Sequence, residues 1–439
     1  MSNLLTGTAP SVFSALGRAA LLTSTLGFGL IAATASANAQ DIRVWSGYPE
    51  LAPFYEHVAE GMKAEFPDLN VTVEAIALRE HEKRVALGVT SGEAAQVIEL
   101  TNTIAARYLE GGLLNTPPED VQAFVKDPAN FGEFFVNAAS YDGAVYGMPL
   151  FRGQSALYYN TDMFAAAGLT EPPKTMAEFD TYAEKLTQRD ANGTPTVSGW
   201  SMRLSGGGSG IAEKFAINMW QHGDDMLKSS GEGLYKSNFA SDAGVATLKQ
   251  YLHNIFETKT VTVEMPADAD AFERGQTAMF IRESWVIGDI AAKAPDLKYG
   301  TSTLPRGTIV SPGQLYVKAD AEKEAAAWEF VKATQKPENL LWLLDNVGWL
   351  PNRSGLDYSA IVAAKPGFEA YVNFPDDYAF FSVPAIGPID EVLTRSAAFL
   401  VEAFAKPELA GDDAAIKAFL ETVDAEINDI LEREGLLGA

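Results

Sequence analysis

The sequence IRVWSGYPELAPFYEHVAEGMKAEFPDLNVTVE, at residues 42–74, alternates a strand, an amphipathic helix and a second strand. Ile42, Val44 and Trp45 predict a first strand, which ends at a Ser-Gly-Tyr-Pro turn. From Leu51 to Phe66 the apolar residues recur with the helical period. Asn70–Glu74 predicts the next strand.

This order continues with a helix around residues 84–89 and a buried strand at Val97–Leu100. A β-α-β-α-β order predicts a parallel sheet with helices on both faces, and so an α/β fold. Ligands of such sheets bind outside the carboxyl ends of the strands. The candidate ligand-binding residues just past those ends are Ser46, Tyr48, Thr101 and Asn102.

The rest of the chain contains a second set of elements and no low-complexity linker. We therefore predict two lobes and a chain that crosses between them more than once. The predicted strands lie at residues 156–159 and 278–281. The predicted helices lie at residues 162–167, 175–186, 323–334 and 416–431, and the second of these opens with a Thr175–Glu178 capping box.

The composition limits the function classes. With 439 residues the chain exceeds one ordinary core, and 10% aromatic residues argue against disorder. A net charge of −25 repels phosphate backbones, so we expect no nucleic-acid partner, and it opposes self-association, so we expect a monomer. Because there is no cysteine, thiolate metal sites, cysteine nucleophiles and disulfides are excluded.

The N-terminus predicts export. Residues 19–35 are apolar or small and uncharged, Arg18 is the only charge before them, and residues 37–39 (Ala-Asn-Ala) fit a cleavage site. We predict a signal peptide at residues 1–39 and a periplasmic mature protein. The alternative is an uncleaved membrane anchor, for which the apolar stretch is slightly short.

Catalytic and metal-binding motifs are missing from the sequence. The four histidines form no HExxH pair, the glycine cluster at residues 206–210 lacks the lysine of a phosphate loop, and no serine lies in a GxSxG elbow. We therefore predict no catalytic residue, no metal and no cofactor. The glycine cluster instead predicts a loop before a helix N-terminus, where free N–H groups beside Ser209 can bind a ligand oxygen.

Three tryptophans share one sequence context. Trp45, Trp285 and Trp349 each end an apolar segment beside small polar residues. Each alone is as readily a core residue, but together they favour a ligand with apolar faces and hydroxyl groups, such as a pyranose ring. Glu283 and Asn352 lie close to two of them and join the candidate site.

Seven segments carry a family resemblance. They are IRVWSG (42–47), AARYLEGGLL (105–114), YGMPL (146–150), LYYNTDMF (157–164), AGLTEPPKT (167–175), FERGQTAM (272–279, followed by Ser284-Trp285) and GWLPN (348–352). In this order and spacing they resemble the family 1 extracellular solute-binding proteins, the sugar-binding receptors of ABC importers. The resemblance covers nearly all of residues 41–439.

The resemblance implies a two-lobed periplasmic-binding-protein fold of the α/β class, with a ligand cleft at the hinge. Each lobe is expected to be a mixed or parallel sheet flanked by helices. We expect an N-lobe of about residues 41–151 plus 303–352, and a C-lobe of about residues 155–300 plus 357–439.

Two departures from the usual family pattern bear on the ligand. Ala95-Gln96 replaces the usual Pro-Asp before the third strand, and Arg152 is an unusual charge in the segment after Pro149. We place Arg152 and Gln154 in the cleft. Arg152 is expected to hydrogen-bond the ligand, for example at an acidic group. The alternatives are an ion pair between the lobes and a solvated hinge residue.

The implied function is capture of a sugar or oligosaccharide between the lobes and its delivery to an ABC-transporter permease. Trp285 is expected to be the main stacking residue of the C-lobe. One alternative is a secreted carbohydrate-active enzyme that uses Glu283 with another cleft acid. The other is a receptor for a non-sugar solute. If that solute is charged, the neutral and aromatic candidate residues argue against this alternative.

Overall fold

The computed structural model describes residues 40–205, 208–231, 233–375 and 378–439. The predicted signal peptide at 1–39 and part of the glycine cluster lie outside them. The strands are β1 (Gln40–Ser46), β2 (Leu69–Ala75), β3 (Val97–Thr101), β4 (Ser140–Tyr141), β5 (Ala144–Val145), β6 (Met148–Asn160), β7 (Gln188–Arg189), β8 (Pro195–Val197), β9 (Leu227–Gly231), β10 (Leu234–Ser237), β11 (Met279–Glu283), β12 (Tyr299–Ser302), β13 (Gly307–Val317), β14 (Leu350–Pro351) and β15 (Ala379–Phe381).

Helices pack on both sides of these strands. The α-helices are α1 (Ala52–Met62), α2 (Leu78–Ser91), α3 (Asn102–Glu110), α4 (Glu119–Lys126), α5 (Glu133–Ala138), α6 (Thr161–Ala166), α7 (Met176–Leu186), α8 (Gly210–Gln221), α9 (Asp242–Leu252), α10 (Asp268–Glu273), α11 (Val286–Lys293), α12 (Glu324–Thr334), α13 (Pro337–Asn346), α14 (Ser359–Ala364), α15 (Glu369–Val372), α16 (Ile389–Ala403) and α17 (Asp413–Arg433). Among the described residues, no helix is both long and apolar enough to cross a membrane.

The main sheet has the strand order β11-β6-β13-β3-β1-β2. β1 pairs in parallel with β2 and with β3, which confirms the predicted β-α-β-α-β unit. β13 runs antiparallel to both β3 and β6, so the sheet as a whole is mixed. The carboxyl ends of β1 and β3 therefore lie at one edge, as the strand order predicts.

Two long strands join the two lobes. On β6, Leu150 packs in the core of the N-lobe, whereas Leu157 packs in the core of the C-lobe. β13 crosses in the opposite sense, with Ile309 in the C-lobe core and Leu315 in the N-lobe core. The fold is thus a two-lobed α/β architecture with shared strands, while the limits of the lobes stay a prediction.

The N-lobe sheet carries helices on both faces because β1 alternates its side chains. Val44 belongs to the core cluster that includes Phe54 of α1, whereas Trp45 belongs to the cluster that includes Val85 of α2. Successive side chains of a strand point to opposite faces. Parity therefore assigns each side chain within β1 to the α1 face or to the α2 face, and both faces are buried.

The local helix signals are confirmed. The helices predicted at residues 162–167, 175–186, 323–334 and 416–431 correspond to α6, α7, α12 and α17. At the start of α7, Thr175 Oγ1 accepts from the Glu178 backbone N–H at 3.2 Å. Glu178 Oε2 accepts from the Lys174 N–H at 2.6 Å, one residue before the position that a capping box predicts.

Candidate functional site

A cavity of about 660 Å³ lies between the lobes at the carboxyl ends of β1 and β3. This volume is within the range of small-ligand sites. A neighbouring cavity of about 670 Å³ shares Glu50 and Trp285 with it, and a third of about 410 Å³ shares Asn102. The three cavities together form an extended groove.

Most of the predicted binding residues line the central cavity. Thr101 and Asn102 lie where β3 passes into α3, and Ser209 directly precedes α8. Their role in binding stays a prediction. The predicted residues in the cavity wall are Tyr48, Thr101, Asn102, Ser209, Glu283, Trp285 and Trp349.

An aromatic cluster supports the N-lobe part of the wall, where Tyr48 and Trp349 line the cavity and Phe151 lies buried behind them. The ring of Trp349 lies 5.0 Å from the ring of Tyr48 and 4.8 Å from that of Phe151, and Tyr48 and Phe151 are 5.6 Å apart. Tyr48 is half-buried and is held by the turn that follows β1. The cluster gives the cavity a rigid apolar surface.

The two indole groups of the wall are held by carboxylates. Trp285 Nε1 donates to Glu283 Oε2 at 3.3 Å, and Trp349 Nε1 donates to Glu50 Oε1 at 3.3 Å. Trp285 is half-buried, and the Arg282 guanidinium lies 5.3 Å from its ring centroid. Both rings are thereby oriented before a ligand arrives, which lowers the entropic cost of binding.

A charged network lies beside Trp285. Arg282 contacts Glu283 and Asp268 at 2.8 Å each, and Arg203 contacts Asp268 at 3.0 Å. Burial alone would raise the pKa of Glu283, but Arg282 and Lys214 more than reverse this and lower that pKa to about 2. Glu283 is therefore a carboxylate at neutral pH and accepts hydrogen bonds only.

Arg79 connects the lobes across the cavity. It lies on α2, which packs in the N-lobe, and its Nη2 donates to Ser209 Oγ at 3.0 Å. Its Nη1 lies 2.9 Å from Glu82 of the same helix and 3.5 Å from Asp390 of α16 in the C-lobe. Ser209 in turn donates to Glu213 at 3.1 Å. These contacts stabilise the arrangement in which the lobes are close.

We expect Arg79→Ala to increase the rate at which a bound ligand dissociates. Exposed ion pairs contribute at most about 1 kcal/mol, so the increase should be roughly two- to fivefold, as measured by stopped-flow fluorescence. Lys83→Ala is the matched control, because Lys83 pairs only with Glu80 of its own helix among the described residues. Equal rates in the two variants would contradict a role of Arg79 in holding the lobes together.

Trp45 lies in the core and not in the cavity wall. It is 5% exposed, it packs with Val85, and a Cβ added to Gly88 would lie 2.8 Å from its ring. The Arg84 guanidinium lies 4.3 Å from the ring centroid. Trp45 is one residue short of the end of β1, so it points to the α2 face of the sheet.

Ser46 lies beneath the cavity wall, in a buried polar cluster. Glu99 Oε2 accepts from Ser46 Oγ at 2.7 Å and from Tyr55 Oη at 2.6 Å, and the Gly47 N–H donates to the same carboxyl group. Ser46 Oγ also accepts from the Tyr48 N–H at 3.2 Å. Ser46 and Glu99 therefore position the turn that presents Tyr48, and Ser46 does not line the cavity.

Arg152, Gln154 and Asn352 are also outside the cavity wall. Arg152 is 8% exposed, its Nε donates to Gln154 Oε1 at 2.8 Å, and its Nη1 donates to the Pro351 carbonyl. Asn352 Nδ2 donates to the Phe151 carbonyl at 2.7 Å. These groups hold β14 against β6. These contacts favour a structural role of Arg152 over the expected contact with a ligand, and among the described residues Arg152 forms no ion pair with an acid.

We expect Arg152→Met to destabilise the protein by about 1–2 kcal/mol. Two buried acceptors lose their donor, and the removal of a buried charge offsets part of that cost. The ligand affinity of the folded variant should equal that of the wild type, as measured by calorimetric titration. A selective loss of affinity at unchanged stability would restore Arg152 to the site.

Sequence reasoning missed the charged part of the wall. Arg79, Glu82, Arg203, Lys214 and Arg282 line the cavity, although the sequence predicted a mainly neutral cleft. The signal for Arg282 was its position next to Glu283, while nothing in the sequence marks which faces of α2 and α8 meet the cavity. Among the described residues, no group of three or more His, Cys, Asp or Glu is placed to hold a metal ion.

Comparison with known proteins gives one family and several similar structures. The family model of the bacterial extracellular solute-binding proteins matches residues 58–370. A lactose-binding protein of Rhizobium radiobacter is 22% identical over 393 residues, which cover 84% of this chain and 83% of the relative.

Two solved structures share the fold. An ABC substrate-binding protein of Listeria monocytogenes in complex with cycloalternan has a TM-score of 0.72 at 20% identity, covering 89% of this chain and 99% of the other. A protein of Mycobacterium tuberculosis in complex with glycerophosphocholine, UgpB, has a TM-score of 0.73 at 18% identity, covering 90% and 99%.

Two α/β lobes that share strands and enclose a polar and aromatic cavity define a class of protein, the two-lobed ligand-binding proteins. Together with the match over residues 58–370, this places the chain in a family. The chain belongs to the bacterial extracellular solute-binding proteins.

Proposed function

We propose that this chain is the exported receptor of an ABC importer and that it binds a sugar or oligosaccharide between its lobes. The observation that carries the proposal is the central cavity, where Trp285 and Trp349 stand beside ionised side chains. Apolar sugar faces pack on indole rings, and sugar hydroxyls bond well to charged groups.

The receptor would act by lobe closure. A ligand that contacts both lobes favours the closed arrangement, because it makes both sets of contacts only there. The closed form then docks on a membrane permease in the periplasm. We infer a monomer for this step, since the net charge of −25 opposes self-association.

The role of general acid in glycoside hydrolysis is disfavoured for Glu283 by its charge. A glycosidase needs one carboxylic acid that is protonated near neutral pH to release the leaving group. Arg282 and Lys214 hold the pKa of Glu283 at about 2, so it cannot donate that proton.

The second candidate is a receptor for a polar non-sugar solute. It is favoured by the charged wall and by the similar fold of the glycerophosphocholine complex. Aromatic and charged groups in one wall also suit a zwitterionic ligand.

A thermal-shift screen of the chain without residues 1–39 separates these candidates. The panel contains neutral mono- and oligosaccharides, glycerophosphocholine and spermidine. A saccharide that binds should raise the melting temperature, because at one hundred times its Kd it adds about 2.7 kcal/mol to the free energy of unfolding. The saccharide should be recovered intact after incubation with the protein. Stabilisation by a non-sugar alone, or the release of hydrolysis products, would contradict the proposal.

A further inference from the structure

Lys214 is a buried cation in the cavity wall with an unfilled hydrogen-bonding capacity. It lies on α8, it is 7% exposed, and it lines the central cavity. Within the described part of the chain its ammonium group makes no hydrogen bond. Its nearest carboxylate oxygen, Glu283 Oε1, is 3.9 Å from Nζ, which is an ion-pair distance and too long for a hydrogen bond.

Burial of this ammonium group without acceptors destabilises the folded protein when no ligand is bound. An ammonium group carries three donors, and burial without acceptors disfavours its charged form, which lowers the pKa of Lys214. Glu283 has a closer partner than Lys214, because Arg282 contacts its Oε2 at 2.8 Å. Lys214 therefore contributes little to the stability of the protein without ligand.

We propose that Lys214 and Glu283 act as a donor–acceptor pair that recognises the hydroxyl groups of the bound saccharide. A hydroxyl oxygen about 2.8 Å from each of two atoms that are 3.9 Å apart accepts from Lys214 and donates to Glu283. Two neighbouring hydroxyls of one ring can also divide these roles. The pair selects groups that donate and accept at once. This inference rests on the proposed function.

The test is the variant Lys214→Met, which keeps the apolar stem and removes the charge. Its melting temperature without saccharide should equal or exceed that of the wild type. Its Kd for a saccharide of a fixed panel (lactose, maltotriose, mannotriose and diacetylchitobiose) should rise about 10- to 100-fold, which is the loss expected for hydrogen bonds to a charged group. Lys214→Gln keeps a neutral hydrogen-bond donor, so its Kd for the saccharide should rise less than that of Lys214→Met. Lys417→Met removes an exposed lysine of α17 and controls for net charge.

Three outcomes would overturn the inference. A Kd of Lys214→Met within twofold of the wild-type value shows that the ammonium group does not contact the saccharide. A lower melting temperature together with an unchanged Kd in Lys214→Gln assigns Lys214 to the fold. A wild-type protein that binds no saccharide of the panel contradicts the proposed function, and the inference fails with it.

Discussion

Trp285→Ala should weaken saccharide binding by about 2 kcal/mol, which is roughly thirtyfold in Kd. Trp285 lines both the central and the adjoining cavity, and its indole N–H is held by Glu283. Its removal takes away a fixed apolar surface that the C–H groups of a sugar ring cover. Calorimetric titration with the saccharide found in the thermal-shift screen measures the change.

The controls separate binding from folding. Trp285 is half-buried and packs against the N-lobe core and against a second cluster that includes Val286 and Tyr371. The variant should therefore lose less stability than the roughly 3–5 kcal/mol of a fully buried aromatic. Trp342 is a partly buried tryptophan outside the cavity, stacked 4.4 Å from His57, and Trp342→Ala should leave the affinity unchanged. Unaltered affinity in Trp285→Ala would remove Trp285 from the site.

The second large effect is a change in the pH dependence of stability in Glu99→Gln. Burial raises the pKa of Glu99 to about 7 from an ordinary value of 4.5, although Tyr55 and Ser46 donate to it. The folded state thus favours the protonated carboxyl group. The stability that the protonated Glu99 side chain contributes to the folded state is fully present below about pH 4.5, and it is lost as the pH rises through about 7.

Glutamine cannot ionise and avoids this loss. Relative to wild type, Glu99→Gln should gain on the order of 3 kcal/mol in the free energy of unfolding between pH 5 and pH 8, because a shift of about 2.5 pKa units corresponds to that energy. Urea unfolding of both proteins across this range measures the difference. Glu56→Gln, an exposed change on α1, controls for charge. Parallel pH profiles of wild type and Glu99→Gln would contradict the account of Glu99.

The sequence predicted elements whose signals are local. The order from β1 to β3 follows from apolar periodicity and turn residues, and the start of α7 follows from one capping threonine. It predicted only residues 156–159 of β6, because Pro149 and Gly153 interrupt the strand pattern and both faces of the strand are buried. Burial on both faces removes the alternation that marks a strand.

Cavity-wall positions could be predicted where a residue lies at or just past the carboxyl end of a strand. Thr101 ends β3, Asn102 begins α3, and both line the cavity. Trp45 does not, because it lies inside β1, before that end, where the residues of α2 cover its side chain. Arg152 contacts the carbonyl of Pro351, far along the chain, and no local pattern indicates such a pairing. The charged residues of the cavity wall could not be predicted either, because their position depends on which helix faces meet across the lobes.

The most direct test of the central claim is a crystal structure of the chain in complex with the saccharide that the thermal-shift screen selects. We predict one saccharide in the central cavity, with a ring packed on Trp285 or Trp349 and hydroxyls bonded to Lys214 and Glu283. Both lobes should contact it. A saccharide bound elsewhere on the surface, or one that contacts a single lobe and neither tryptophan, would contradict the account.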